Sequence, residues 1–174
     1  MEEVIIVSWD EYFKIISDLI YKVLDSGFKP NQVICIARGG LIPGDIISRT
    51  LKLPLAVLSV SSYTPDIAGN TEKQGEVILS RDLTSANQIN PLVLLVDDLT
   101  DSGNTLQKSV EWLNCNYQPY IKEIRTAILW HKEISSFTPN YHSVFISLNK
   151  EGKCPWILQP QDALAKEIIK FKLK

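Results

Sequence analysis

The sequence predicts an α/β fold: an open, parallel-stranded sheet flanked by helices. Apolar runs such as VICIA and LVLLV have no polar alternation, which is typical of strands buried on both faces. These runs alternate with segments whose apolar residues recur at helical spacing. With 174 residues, the chain is long enough for one complete core. We therefore expect a single domain over residues 1–174.

The first helix has the clearest boundaries. Ser8 followed by Glu11 forms a capping-box pattern, and apolar residues then repeat at helical spacing until Gly27, which suits a helix end. A strand is predicted at 32–37, followed by the polar turn RGG. Pro43 fits the first turn of a second helix.

The middle and end of the chain continue the alternation. Further strands are predicted at 55–60, 75–80, 91–96, 124–130 and 141–147. An amphipathic helix carrying Leu106, Val110 and Leu113 lies between the fourth and fifth of the six predicted strands. Residues 61–74 are polar and long for a connection, which favours a lid or a disordered loop. Residues from about 150 to 174, with a last helix from about Asp162, predict a small C-terminal hood.

Charge and cysteine content exclude several classes of protein. A net charge of −2 gives no global field to attract nucleic acid or anionic membrane, so any anion site must be local. Cys35, Cys115 and Cys154 share no metal or redox spacing, which favours a reduced chain. No apolar window is long enough for a membrane span, and no leader pattern is present, so we expect a cytoplasmic protein.

The stretch VLLVDDLTDSGNTL (Val93–Leu106) carries the strongest functional signal. Asp97 and Asp98 end a buried strand, where ligands collect in open α/β sheets. The segment TDSGNT then enters a helix, which predicts an anion cradle of backbone N–H groups and hydroxyls suited to one phosphate. Carboxylates are pure acceptors, so they fit a ligand that also carries hydroxyl groups, such as a ribose 5-phosphate. A magnesium site of the Walker-B kind and plain helix capping by Asp101 or Ser102 are alternatives, although no GxxxxGK[ST] occurs.

This stretch is similar to the phosphoribosyl-pyrophosphate signature of the type I phosphoribosyltransferases. VSWDEY near the start, ARGGLIPG at 37–44, SSY at 61–63 and WILQP at 156–160 resemble the bacterial and archaeal xanthine-guanine members of that family. The resemblance covers nearly the whole chain. It implies transfer of a 5-phosphoribosyl group from phosphoribosyl pyrophosphate to a 6-oxopurine, with pyrophosphate released and Mg²⁺ bound together with the substrate.

The resemblance also implies roles for individual residues. Asp97 and Asp98 would bind the ribose hydroxyls, with Asp97 near the substrate-bound Mg²⁺. Asp101 would be a general acid/base close to purine N7, unless it only caps the helix. The 5-phosphate would contact Thr100, Asp101, Ser102, Gly103, Asn104 and Thr105. The pyrophosphate would contact Arg38, Gly39 and Gly40, in a loop where relatives often have a non-proline cis peptide; without the resemblance, Arg38 would be interpreted as a solvated turn residue.

The base and lid positions follow from the same resemblance. Lys132 would donate to the purine 6-oxo group, Trp156 would stack on the ring and Ile157 would offer backbone contacts. The plainer alternatives are a solvated lysine at a strand end and a tryptophan that anchors the core. Ser61 and Tyr63 are lid candidates, although the stretch from SSY to the acid pair is longer than in the bacterial relatives. Gln161 stands where those relatives often have a second tryptophan.

Two functions remain in view. The first is purine salvage acting on guanine, xanthine or hypoxanthine, by a homodimer or homotetramer with only small-molecule substrates. The second is a regulator of the same fold that senses phosphoribosyl pyrophosphate without catalysis. A regulator needs a nucleic-acid surface, and the mildly acidic chain has no basic run, which favours the enzyme. An enzyme for pyrimidines or adenine is disfavoured by Lys132 and WILQP.

Overall fold

The computed structural model describes residues 3–65 and 72–172. A central sheet has the strand order β4-β3-β2-β6-β7-β8, with β5 paired to β3, and β1 and β9 form a separate two-stranded sheet. The helices are α1 Trp9–Asp25, α2 Leu41–Leu51, α3 Asn104–Tyr117 and α4 Pro160–Lys172. The strands are β1 Val4–Ile6, β2 Gln32–Ala37, β3 Leu55–Pro65, β4 Glu72–Leu79, β5 Thr84–Ser85, β6 Leu92–Thr100, β7 Glu123–Lys132, β8 Tyr141–Ile146 and β9 Trp156–Leu158.

The central sheet confirms the predicted α/β class. Strands β3, β2, β6, β7 and β8 run parallel, whereas β4 and β5 pair antiparallel with β3. Successive residues of one strand enter opposite cores, since Leu94 packs on the side of α1 and α2 and Leu95 packs on the side of α3. The runs VICIA and LVLLV are apolar along their whole length because both faces of the sheet are covered, as the sequence predicted.

The first helix begins and ends as its capping residues predict. The Glu11 N–H donates to Ser8 Oγ at 3.3 Å, and the Ser8 N–H donates to Glu11 Oε2 at 2.9 Å. Gly27 follows the helix with a φ of +75°. The second helix begins at Leu41, two residues before the predicted Pro43, because the turn after β2 leads directly into it. None of the helices in the described part of the chain has the length and apolar content to cross a bilayer.

Two short strands that were not predicted from the sequence connect the ends of the chain. In β1 and β9, Val4 pairs with Trp156 and Ile6 with Leu158, in parallel. The Val7 N–H extends this pairing by donating to the Leu158 carbonyl at 3.0 Å. The hood segment is thus held by the N-terminal strand. Of the predicted lid, residues 66–71 and the side chain of Tyr63 lie outside the described residues.

Candidate active site

A cleft of about 760 Å³ lies at the carboxyl ends of β2 and β6, with β9 and the start of α4 forming its far wall. It lies where a parallel sheet collects ligands. Asn104 and Lys132 do not line it, and Gly40 is buried behind it. The predicted residues that do line it are Arg38, Gly39, Ser61, Asp97, Asp98, Thr100, Asp101, Ser102, Gly103, Thr105, Trp156 and Ile157.

Two carboxylates form the floor of the cleft. Burial raises the pKa of Asp97 well above its ordinary value, and the neighbouring charge of Asp98 adds to the rise. Burial also raises the pKa of Asp98. Asp97 Oδ1 accepts from the Asp98 N–H at 2.9 Å, and Asp98 Oδ1 accepts from the Leu99 N–H at 2.8 Å. Both side chains are thus oriented by backbone donors of their own strand, and a ligand that presents a cation or hydroxyl donors would further stabilise their charge.

The loop after β2 presses against these carboxylates. A Cβ at Gly39 would collide with the Asp98 carboxylate, and one at Gly40 would lie 2.5 Å from the Val96 carbonyl oxygen. Only glycine permits this approach. The Ala37–Arg38 peptide is cis, as the resemblance led us to expect. Arg38 is exposed and lines the cleft, so its guanidinium is available to an anion there.

The loop after β6 wraps the N-terminus of α3. Gly103 is the residue before the helix and has a φ of +88°, and its carbonyl accepts from the Gln107 N–H at 3.0 Å. This N-cap position carries no side chain that could cap the helix. The N–H of Asn104, the first residue of α3, donates to Ser102 Oγ at 3.4 Å, and Gly103 and Thr105 line the cleft. The positive end of the helix dipole therefore lies beside the cleft.

A turn after β7 holds that loop from outside, and it was not predicted from the sequence. Thr100 is buried, and its hydroxyl pairs with Ser135 Oγ at 2.9 Å. The Ser102 carbonyl accepts from both the N–H and the hydroxyl of Ser136, at 3.0 and 2.9 Å. The only feature of the sequence that could have indicated this contact is the pair of hydroxyl residues, Ser135 and Ser136, after the strand. Thr100 therefore shapes the loop by its contact with Ser135.

Asp101 and Lys132 form an ion pair beside the cleft. Lys132 Nζ lies 3.1 Å from Asp101 Oδ1, and the lysine is 4 % exposed. Its burial rules out the solvated strand end that was the alternative for Lys132. Asp101 is partly exposed, lines the cleft and does not cap α3. The pair thus presents a carboxylate to a ligand and keeps an ammonium directly behind it.

The hood supplies an aromatic wall. Trp156 is 45 % exposed and lines the cleft, so it does not anchor the core. Ile157 is buried, and its backbone pairs with Ile5 of β1. Two glutamines that received no role from the sequence, Gln159 and Gln161, also line the cleft and are hydrogen-bonded to each other at 2.7 Å.

Fold and site together define an α/β protein whose cleft suits a phosphorylated sugar and a flat ring. The sequence matches the phosphoribosyl transferase domain family over residues 6–166, and the chain belongs to this family.

The chain resembles xanthine-guanine phosphoribosyltransferases in particular. It is 33 % identical to that of Idiomarina loihiensis over 102 residues, which is 58 % of this chain and 59 % of the relative. It is 32 % identical to that of Desulfotalea psychrophila, also over 102 residues, with 58 % of each chain covered. The chain thus spans somewhat less than two thirds of the length of these relatives.

Two solved structures have the same fold. The purine phosphoribosyltransferase of Pyrococcus horikoshii matches with a TM-score of 0.70 and 28 % identity, over 92 % of this chain and 94 % of that one. The xanthine-guanine-hypoxanthine phosphoribosyltransferase of Helicobacter pylori matches with a TM-score of 0.73 and 20 % identity, over 96 % and 99 %. Because its identity is only 20 %, the match to the Helicobacter pylori structure shows a common fold and nothing more.

Proposed function

We propose that the protein transfers the 5-phosphoribosyl group of phosphoribosyl pyrophosphate to a 6-oxopurine, giving a nucleoside 5′-monophosphate and pyrophosphate. The observation that carries this proposal is the convergence of three kinds of group on one cleft. The helix-start loop suits a phosphate, and the carboxylates Asp97 and Asp98 suit sugar hydroxyls. Trp156 and Asp101, which line the same cleft, suit a purine, and Lys132 is paired with Asp101. The relatives named above support the choice of purine.

The carboxylates would serve both binding and catalysis. Asp97 and Asp98 would accept hydrogen bonds from the ribose hydroxyls in the ground state. As the bond from the ribose C1 to the pyrophosphate oxygen breaks, the ribose ring gains positive charge. Buried carboxylates therefore stabilise the transition state more than they stabilise the bound substrate. The exposed guanidinium of Arg38, with the backbone at Gly39, would hold the departing pyrophosphate.

The ion pair would act on the base. A bond forms between the ribose C1 and a purine nitrogen, and the purine must lose a proton. Asp101 lines the cleft and is the carboxylate suited to exchange a proton with the ring, near N7. Lys132 Nζ, 3.1 Å from Asp101, would donate to the 6-oxo oxygen, and an ammonium cannot accept from a 6-amino group.

The residues present fit an Mg²⁺ that enters with the substrate. The described part of the chain has no group of three or more His, Cys, Asp or Glu arranged to hold a metal. Mg²⁺ is often bound by one or two carboxylates together with substrate phosphates and water. Asp97 would be the contact, through the ribose hydroxyls or water, because its carboxylate is buried and forms no ion pair with another described residue. When bound, Mg²⁺ supplies charge neutralisation for the leaving pyrophosphate.

The test is direct. Purified protein is incubated with phosphoribosyl pyrophosphate, Mg²⁺ and, separately, guanine, xanthine, hypoxanthine, adenine or uracil, and any nucleotide is identified by mass spectrometry. We expect product from at least one 6-oxopurine and little from adenine or uracil. Efficient use of adenine would contradict the 6-oxopurine assignment, and no product from any base would contradict the enzyme assignment.

We further propose a cytoplasmic homodimer or homotetramer. Trp9 and Phe13 stack with ring centroids 5.6 Å apart and are both exposed on α1, next to the exposed Ile6 of β1. Such apolar surface favours association. Light scattering coupled to gel filtration would measure the mass, and a monomer at micromolar concentration would contradict the assembly.

A further inference from the structure

A glutamine of the hood reaches into the acidic floor of the cleft. Gln159 lies between β9 and α4 and is 5 % exposed. Its Nε2 donates to Oδ2 of Asp98, while the other carboxylate oxygen accepts from the Leu99 N–H at 2.8 Å. The carboxylate is thus held from two sides, which fixes its rotation about the side-chain bond.

The backbone of Gln159 is itself anchored. Its carbonyl accepts from the N–H groups of Asp162 and Ala163 at 3.1 and 3.0 Å, which starts α4. The preceding residue, Leu158, pairs with Ile6 of β1. The amide that contacts Asp98 therefore projects from a position defined by both a helix and a strand.

Two further side chains stand behind this amide. Gln159 Oε1 accepts from Gln161 Nε2 at 2.7 Å. Beyond it, Gln161 Oε1 and the hydroxyl of the fully buried Tyr12 have no hydrogen-bond partner among the described residues. Burial raises the pKa of Tyr12, and the nearby side-chain amide of Gln161 opposes that rise. A hydroxyl and an amide oxygen are complementary, so a small adjustment would satisfy both atoms and continue the line from α1 to Asp98.

We infer that Gln159, supported by Gln161, is a positioning residue that directs the Asp98 carboxylate toward the ribose hydroxyls. The inference rests on the proposed function. An ionised carboxylate has about four acceptor positions. Gln159 and the Leu99 N–H occupy two of them, so a ligand hydroxyl meets a fixed acceptor. Trp156 lies three residues earlier on the same segment, so one stretch of chain sets both the base and the ribose positions.

The experiment compares two ligands that differ only in the hydroxyls. Guanosine 5′-monophosphate and its 2′,3′-dideoxy analogue are titrated calorimetrically into the wild type and Gln159→Met, a variant of similar shape. We expect the wild type to prefer the ligand with hydroxyls, and Gln159→Met to bind that ligand about tenfold to a hundredfold more weakly. Affinity for the dideoxy analogue should change little, because Asp98 has nothing to accept from it.

A matched control is Gln107→Met on α3, where Nε2 donates to the Glu111 carboxylate at 3.0 Å on an exposed surface. That variant should bind both ligands as the wild type does. Gln161→Met, which reaches Asp98 only through Gln159, should shift the preference in the same direction by a smaller factor. In an Asp98→Ala background, Gln159→Met should have no further effect on the preference, because the two residues act as one unit.

Two results would overturn the inference: unchanged binding by Gln159→Met, or an equal loss for both ligands, which would show a structural role alone. If Gln159→Met does not fold, Gln161→Met decides, and an unchanged preference there overturns the inference. Failure of the proposed function looks different, since the wild type itself would then form no nucleotide from any base.

Discussion

At the scale of single residues, the Asp101–Lys132 pair leads to the most specific predictions. A lysine that is 4 % exposed is tolerated because an ionised partner lies 3.1 Å away. Asp101 also lines the cleft, so its carboxylate is accessible to a ligand there. Each member can be removed separately, and the two losses should differ in kind.

Asp101→Asn should lower kcat by about 10²–10⁴-fold, because the amide preserves size but cannot accept a proton. The dissociation constant for phosphoribosyl pyrophosphate should change little, since the amide leaves the backbone donors of the loop after β6 in place. Steady-state kinetics and calorimetry measure the two quantities. Asp45→Asn, which removes a carboxylate paired with Arg49 on the surface, is the matched control. Wild-type turnover in Asp101→Asn would remove Asp101 from the chemistry.

Lys132→Met should weaken discrimination between 6-oxopurines and adenine. Sites built around a buried hydrogen bond discriminate by roughly 10⁴–10⁵-fold, and the variant should retain only a small part of that ratio. The ratio of kcat/KM for guanine and adenine is the measurement. Lys108→Met, on the exposed side of α3, should leave it unchanged. An unaltered ratio in Lys132→Met would show that another group reads the 6-position.

Sequence patterns predicted which residues line the cleft better than they predicted how those residues pair. Asp97 and Asp98 were recognisable because they interrupt an apolar run at a strand end. The contact between Lys132 and Asp101 was not, since no local pattern encodes a pairing between the end of one strand and the loop after another. Gln159 was overlooked for the same reason, because the residue it contacts, Asp98, lies far away in the chain.

At the scale of elements, the loop before α3 depends on its glycine. Gly103 has a φ of +88°, and a Cβ there would lie 2.6 Å from the Phe137 nitrogen and 2.8 Å from Ser135 Oγ. Backbone conformation and lack of space thus both require glycine. The turn after β7 and the loop after β6 pack closely against each other at this point.

Gly103→Ala should lower the free energy of unfolding by about 2–5 kcal/mol, combining the cost of a left-handed backbone with that of overpacking. Gly27→Ala separates the two causes, because Gly27 has a φ of +75° and a Cβ added there would meet nothing within 4 Å. It should lose only about 1–2 kcal/mol. Urea denaturation measures both variants. Equal losses would show that the contacts with Ser135 and Phe137 are not restrictive.

Elements were predictable in proportion to their length and pattern. The capping box at Ser8 predicted the start of α1. The apolar run that stops just before Asp97 predicted most of β6. Strands β1 and β9 have three residues each, and no periodicity can be read from so few. Their pairing depends on a partner at the other end of the chain.

At the scale of the whole molecule, the acidic floor of the cleft opposes stability. Burial and mutual repulsion raise the pKa of Asp97 above its ordinary 3.8, so the folded protein binds a proton there more readily than the unfolded chain does. Stability is therefore lost as pH rises from about that ordinary value through the raised one. The proposed role of these carboxylates in stabilising a cationic transition state would account for the retention of this cost.

Asp97→Asn should raise the free energy of unfolding at pH 7 by about 0.5–2 kcal/mol while abolishing efficient catalysis. The Asn oxygen can still accept from the Asp98 N–H, so local geometry is kept. At a pH below 3.8 the gain should vanish, because the wild-type carboxyl is then neutral in both states. Denaturation at both pH values tests this, and a gain that persists in acid would exclude charge as its cause.

The pairing of β1 with β9 also orders events in time. Val4 to Ile6 leave the ribosome early, but their partners Trp156 to Leu158 are made only near the end of the described chain. At synthesis rates of about 5–20 residues per second, the first strand waits ~8–30 s for its partner. During that interval the loop after β6 can form, whereas the aromatic wall at Trp156 cannot. During synthesis, all strands of the central sheet are therefore available before the segment that completes the cleft.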